Sequence, residues 1–345
     1  MQISILAYFE DGHLEVHSSL EELVSCRSAA RIWVDLESSN DSELRKIAEH
    51  FSLHELAVED CLTPGHFPKI EDFGSYLFLI FRGLKSGSEV EEIWKRELDG
   101  EEEEIPEEVL DEENDEVFTR KVAIFLGEKF IVTYRRRAVN WLDAVVRSVK
   151  QDPSLTLGVG TDAVAYKVLD VLVDRFMRRV GLFEELIDKI EDTAVESPED
   201  FQIQNVLSLK RDLIAVRQLM REQRVVIARL ANESKYIKQQ QLRYFRDIDD
   251  HSISVLKTLD KEIESLHGVR DTYFAMANVR LGNIMRILAV ITTIAAPLNI
   301  LVGVYGMNFE VIPLLHSPHG FWAILSSMVL MAVVMVLYFR NKQWF

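Results

Sequence analysis

The chain has 345 residues, enough for two domains, with 48% hydrophobic residues and a formal charge of −17 from 56 acidic and 39 basic side chains. So acidic a surface disfavours nucleic acid and anionic lipid as partners and favours cations. Two cysteines, Cys26 and Cys61, exclude a disulfide framework and fit a reducing compartment. The balance is uneven: residues 284–345 carry +2, from Arg286, Arg340 and Lys342 against Glu310, so the first 283 residues carry −19. The N-terminus has no basic region or cleavage site, so no signal peptide is expected and membrane insertion falls to the C-terminal spans.

Residues 2–9, 31–36 and 76–84 are short apolar or alternating runs that predict strands. Between them 42–51 and 53–62 predict helices, closed by Thr63-Pro64-Gly65. Strands at about 117–126 and 129–134 flank a hairpin turn at Gly127-Glu128. Together these predict an α/β domain over residues 1–150. His50 and His54 stand four apart, but without further ligands at suitable spacing a structural role is expected. Twelve of the eighteen residues from 99 to 116 are Asp or Glu, which reads as a solvated loop.

From about residue 160 the apolar period becomes helical. Val164, Val168, Val171, Phe176, Val180, Phe183, Ile187 and Ile190 share one face. After Ser197-Pro198 the pattern resumes in Val206, Leu209, Leu213, Val216, Leu219 and Ile227. Leu256, Leu259, Ile263, Leu266 and Tyr273 carry it onward, and a helix continuous from 246 to 304 would be roughly 88 Å long. Residues 151–283 are therefore expected to form a helical stalk region.

Residues 284–345 hold two expected spans, 287–305 and 321–339, each nineteen residues without a charge. In the first, Met285, Leu288, Thr292, Ala296, Asn299 and Gly303 recur at three or four and share a face. Lipid offers an amide no partner, so this stripe faces protein or water, as a packing face or as a pore lining. Lys and Arg flank both spans on one side and are absent from 306–320. That bias predicts both termini in the cytosol, the chain lying in the cell's inner membrane.

The segment Tyr305-Gly306-Met307-Asn308-Phe309-Glu310 closes the first span. It resembles the Gly-Met-Asn signature of the CorA family of magnesium transport proteins. Pro-Lys-Ile-Glu at 68–71, Tyr-Phe-Arg-Asp at 244–247 and the terminal Tyr-Phe-Arg-Asn-Lys-Gln-Trp-Phe resemble the family as well. The resemblance implies a funnel-shaped homopentamer with the first span inside, Gly306, Met307 and Asn308 as the selectivity filter, and Mg²⁺ as both cargo and regulator. An Asn308 ring would hydrogen-bond the hydration shell of an ion that sheds water reluctantly. Asp271 matches the stalk acid that helps hold Mg²⁺ between neighbouring cytosolic domains. Its usual partner is replaced by Gly87, with Glu89, Glu91 or Glu92 as substitutes. Ala296 and Asn299 depart from the bulkier residue and the Thr expected there, Gly282 stands for an Asn with Asn283 one position on, and Glu310 is the only acid of its loop.

Two other functions compete. His316 and His319 in the outer loop suit a softer ion, so a zinc, cobalt or nickel transporter of the same superfamily is one. A membrane-tethered coiled-coil sensor that conducts nothing is the other. An enzyme is not expected, since no phosphate loop, HExxH site or Gly-x-Ser-x-Gly turn occurs.

Overall fold

A computed structural model of the chain describes residues 2–63, 65–84, 119–197, 201–233, 235–308, 310, 312–314, 317–342 and 344. The chain divides into two units, Met1–Ile190 with Gln202–Gly268 and Glu191–Phe201 with Val269–Phe345.

The first unit is built on strands β1 (Gln2–Tyr8), β2 (Leu14–His17), β3 (Arg31–Glu37), β4 (Lys69–Asp72), β5 (Tyr76–Leu84), β6 (Thr119–Gly127) and β7 (Phe130–Arg135). They form one sheet in the order β2-β1-β3-β7-β6-β5-β4, in which only the β3–β7 pair is parallel. Helices α1 (Asp41–Phe51), α2 (Glu55–Leu62) and α3 (Asn140–Gln151) accompany it. Asn40 caps α1 by accepting the Ser42 N–H at 3.1 Å, and Ser52 ends it at φ 54°. The expected strands and the 127–128 turn are present. β2 and β4 were not expected from the sequence, since LEVH and KIED are too short and too polar to show a strand period.

β5 is buried along its whole length, so both sheet faces are covered. On one face Ile5, Val34, Phe78 and Phe125 pack with Leu44 and Ile47 of α1 and Val58 and Cys61 of α2. The opposite face lies under α3, whose Trp141 indole occupies the space a side chain at Gly83 would need. That face also buries a polar group. Arg135 Nε bonds Glu37 at 3.1 Å, its Nη2 reaches both Asp143 of α3 and Asp35, and Thr133 Oγ1 donates to Asp35 Oδ1 at 2.6 Å. Burial pushes the Asp35 carboxyl up, and the Arg135 charge draws it back only in part.

The long helices are α4 (Thr161–Glu196), α5 (Ile203–Glu233) and α6 (Leu242–Tyr305). The expected faces of α4 and α5 are buried, except that Leu172 and Val173 take the place of Val171. The seam of α6 is Phe245, Ile248, Ser252, Val255, Leu259, Glu262 and Leu266, alternating steps of three and four. It differs from the apolar reading because Ser252 and Glu262 lie on it, while Leu256 and Ile263 are only half-buried. Arg217–Asp260 at 2.8 Å and Arg224–Asp249 at 2.9 Å tie α5 to α6, and Lys261–Glu184 at 2.9 Å ties α6 to α4.

α5 also completes the sheet. β4 reaches only as far as Ile80 of β5, so the Arg82 N–H lies beyond its ladder and is taken by Gln223 Oε1 at 3.1 Å. Along the β4 side, Arg229 donates to the Ile70 carbonyl, and Lys235 and Tyr236 to that of Gly74.

The second unit holds the rest of α6, on which Tyr273 stacks with Phe201 at 4.3 Å, and helix α7 (Gly320–Asn341).

Candidate functional site

The C-terminal part of α6 and α7 contain windows of mean hydropathy 2.2 and 2.3, long and apolar enough to cross a membrane. Each helix is covered on one side only. On α6 the covered side is Val290, 1% exposed, continued by half-buried Ile294, Pro297, Leu298, Leu301 and Tyr305. On α7 it is Ile324, Met328, Met331, Met335 and Phe339. Met285, Leu288, Thr292, Ala296, Asn299 and Gly303 are all exposed, centred about half a turn from the covered stripe at ~100° per residue.

The polar groups on that open side are set up as acceptors. Thr292 Oγ1 donates to the Leu288 and Ala289 carbonyls at 2.9 and 3.0 Å, which uses its proton and leaves lone pairs outward. Asn299 and Asn308 make no side-chain hydrogen bond among the described residues. Waters around a divalent ion present hydrogens, and acceptors are what they need.

After Tyr305 the Gly306 N–H still bonds the Val302 carbonyl at 2.9 Å, and Met307 stands 49% exposed. A side chain at Gly306 would begin 3.2 Å from that carbonyl oxygen. Tyr305 Oη donates to the Pro313 carbonyl at 3.3 Å and ties the following loop to the helix end. His319 immediately precedes α7 and makes no capping bond with its side chain. His316, Phe309, Glu89, Glu91, Glu92 and the acidic run 99–116 lie outside the described residues.

Asp271 is 68% exposed, and its Oδ1 is held by the neighbouring Arg270 at 2.9 and 3.1 Å. A different group gathers in the first unit, where ligand atoms of Asp170, Asp174 and His251 all lie within 4.8 Å of one another. Asp170 and Asp174 are one turn apart on α4, and Asp247 Oδ1 is 3.9 Å from His251 Nε2 on α6. Burial, then the Asp174 charge, pushes the Asp170 carboxyl up. Burial together with Asp170 and Asp247 drives the adjacent Tyr166 phenol to about 12. This site was not read from the sequence. Its signals were Asp-x-x-x-Asp on an amphipathic helix and the acid ending Tyr-Phe-Arg-Asp, separated by more than 70 positions.

His50 and His54 are not brought together as ligands. His50 ends α1 half-buried, and His54 caps α2 by accepting the Leu56 N–H at 3.2 Å.

A family model described as CorA-like Mg²⁺ transporter protein matches residues 28–93 and 106–341. A cobalt/magnesium transport protein CorA of Thermotoga maritima is 25% identical over 352 residues, covering 98% of this chain and 93% of the relative. A zinc transport protein ZntB of Pectobacterium carotovorum is 22% identical over 224 residues, covering 65% of this chain and 67% of the relative. Among solved structures, the complete CorA magnesium transporter from Methanocaldococcus jannaschii aligns with a TM-score of 0.78 over 100% of this chain and 99% of its own, at 18% identity, and carries the likeness of fold. With nearly its whole length matched, the chain belongs to the CorA-like Mg²⁺ transporter family.

Proposed function

We propose that this protein admits Mg²⁺ to the cytosol through a homopentameric pore, with both termini cytosolic and Gly306, Met307 and Asn308 at the outer mouth. The observation that carries this reading is the placement of Met285, Leu288, Thr292, Ala296, Asn299 and Gly303 on the open side of α6, opposite its covered stripe. Two spans cannot enclose a pore, so copies must surround an axis, and each acceptor becomes a ring. Asn308 and Asn299 rings hydrogen-bond ion-bound water without stripping it, which suits an ion that dehydrates reluctantly. Leu288 and Met285 form the apolar constriction that closes by dewetting. The membrane potential drives entry, worth about 4.6 kcal/mol for a divalent ion across ~100 mV, twice the unit-charge figure.

Cytosolic Mg²⁺ closes the pore. Asp170, Asp174 and His251, with Asp247 beside them, form the sensor within each protomer. Asp271 serves between protomers, where an ion must compete with Arg270 for the carboxylate. Carboxylates crowded at these points repel when cations leave, and an ion shifts the equilibrium only by binding the closed arrangement better.

The test is uptake into liposomes containing only this protein, with Mg²⁺, Co²⁺, Ni²⁺ and Zn²⁺ offered separately and internal pH recorded. Mg²⁺ entry inhibited by internal Mg²⁺ is expected. Entry of Zn²⁺ with exclusion of Mg²⁺ would favour the reading suggested by the zinc-transporting relative, and no flux of any ion would leave a tethered sensor.

A further inference from the structure

A short stretch of backbone joins the outer ends of the two spans. Helix α6 ends at Tyr305 and α7 begins at Gly320, both in the second unit. Tyr305 is half-buried, and its Oη donates to the Pro313 carbonyl at 3.3 Å. The chain that leaves α6 at Gly306 therefore returns to the same helix end, closing on itself around Gly306, Met307 and Asn308. The next carbonyl along, that of Leu314, goes to the other helix. Its oxygen lies 2.0 Å from where a Cβ at Gly320 would stand, its carbon 3.1 Å, and it accepts the Ser317 N–H at 3.2 Å. Two successive carbonyls are thus held, one at the end of α6 and one against the start of α7.

Ordinary helix ends explain neither contact. A tyrosine at a membrane border usually turns its hydroxyl to water, and here the hydroxyl is spent on the chain's own backbone. Gly320 does not have a positive φ, so any residue could adopt its backbone, and what it supplies is the missing side chain. A Cβ added there would meet main chain and not the tip of a flexible side chain, so nothing could move aside cheaply. Leu314 has φ 71°, a left-handed conformation that is costly for a residue with a Cβ. Its surroundings hold it there. Keeping two spans together needs no such seat, since each already has a covered apolar side.

We propose that the Pro313–Leu314 backbone is a clasp between the spans, and that Tyr305 and Gly320, which hold it, are positioning residues for the mouth at Gly306, Met307 and Asn308. This rests on the transport reading above, in which those three residues meet the ion. A ring of amides sorts hydrated ions only when every copy holds its amide at the same distance from the axis. The clasp supplies that placement from within each chain.

The experiment is Mg²⁺ uptake into liposomes by the full-length protein, with Ca²⁺ as competitor, for wild type, Asn308→Ala, Gly320→Ala and Tyr305→Phe. Gly320→Ala displaces the Leu314 carbonyl, and Tyr305→Phe keeps the ring and removes only the hydroxyl. Each should raise the apparent KM for Mg²⁺ and lower discrimination against Ca²⁺ by about 10–100-fold, as loss of an orienting group does at metal sites. Assembly and melting temperature should stay near wild type. The two losses should not add in the double variant, because either change frees the same peptide. A purely structural role would instead lower melting temperature and maximal uptake together with discrimination intact, and that result overturns the clasp. Should Gly320→Ala fail to assemble, Tyr305→Phe decides alone, and wild-type discrimination in it overturns the clasp. When Asn308→Ala loses discrimination and the clasp variants keep it, only the clasp falls. Discrimination unchanged in Asn308→Ala overturns the filter reading, and the clasp with it.

Discussion

Arg135 and Asn299 are both polar residues set among apolar neighbours, and the chain treats them in opposite ways. The Arg135 side chain is 0% exposed and is met by Asp35 and Glu37 of β3 and by Asp143 of α3. Asn299 lies open on α6 with no side-chain hydrogen bond among the described residues. The sheet meets the charge it buries with opposite charges, although Arg135 Nη1 itself finds no acceptor among the described residues, so this group serves the fold of a single chain. The span leaves its acceptors unfilled in a segment that lipid cannot solvate, so they await water, ions or further copies. A polar group satisfied from within argues for architecture, and one left waiting on an apolar helix argues for traffic.

Removing an open acceptor is expected to abolish transport without harming the fold. Asn308→Ala should lose selective Mg²⁺ uptake in liposomes while the oligomer still assembles. Unchanged uptake and selectivity would remove Asn308 from the filter. The converse experiment strikes the satisfied network. Arg135→Met leaves buried carboxylates without their counter-charge and should destabilise the first unit by about 3–5 kcal/mol in denaturant melts. A loss under about 1 kcal/mol would mean that water already solvates that group.

Gln223→Leu sharpens the contrast on a smaller scale. It strips the Arg82 N–H of its acceptor beyond the end of β4, at an expected cost of about 1–3 kcal/mol, read as a lower melting temperature. A neutral result would show that β5 needs no partner there.

The smallest expected effect tests the crowded carboxylates. The Asp170 carboxyl is raised above its ordinary 3.8, so its ionisation costs stability as pH rises through the raised value, and below 3.8 that cost is absent. Mg²⁺ should therefore raise the melting temperature at neutral pH and lose its effect as pH falls towards 3.8. Asp174→Asn should shrink the Mg²⁺ shift, and an undiminished shift in that variant would locate the ion elsewhere.

The features legible in the sequence were those whose signal is local. Leu77 to Phe81 marks β5, and Gly127 is required by close approach, because a side chain there would begin 2.6 Å from the Phe130 ring. The apolar spans and the small-residue stripe are likewise periodic over one short stretch. On α6, Leu259 and Leu266 are read correctly as seam residues, while Leu256 and Ile263 each stand one position beyond the buried Val255 and Glu262, and apolar periodicity cannot register polar members such as Ser252 and Glu262. The Asp170, Asp174 and His251 group was invisible because it forms only when α4 and α6 come together.

The two ends of the sheet bear on how copies of this protein can meet. At one end β4 is four residues long, and its neighbouring Ile70 and Gly74 carbonyls are already taken by Arg229, Lys235 and Tyr236. At the other, β2 is equally short and presents Glu15 between two histidines. Short, charged or occupied edges are poor templates for another strand. Strand exchange, domain swapping and fibril growth are thus discouraged at both borders of the sheet.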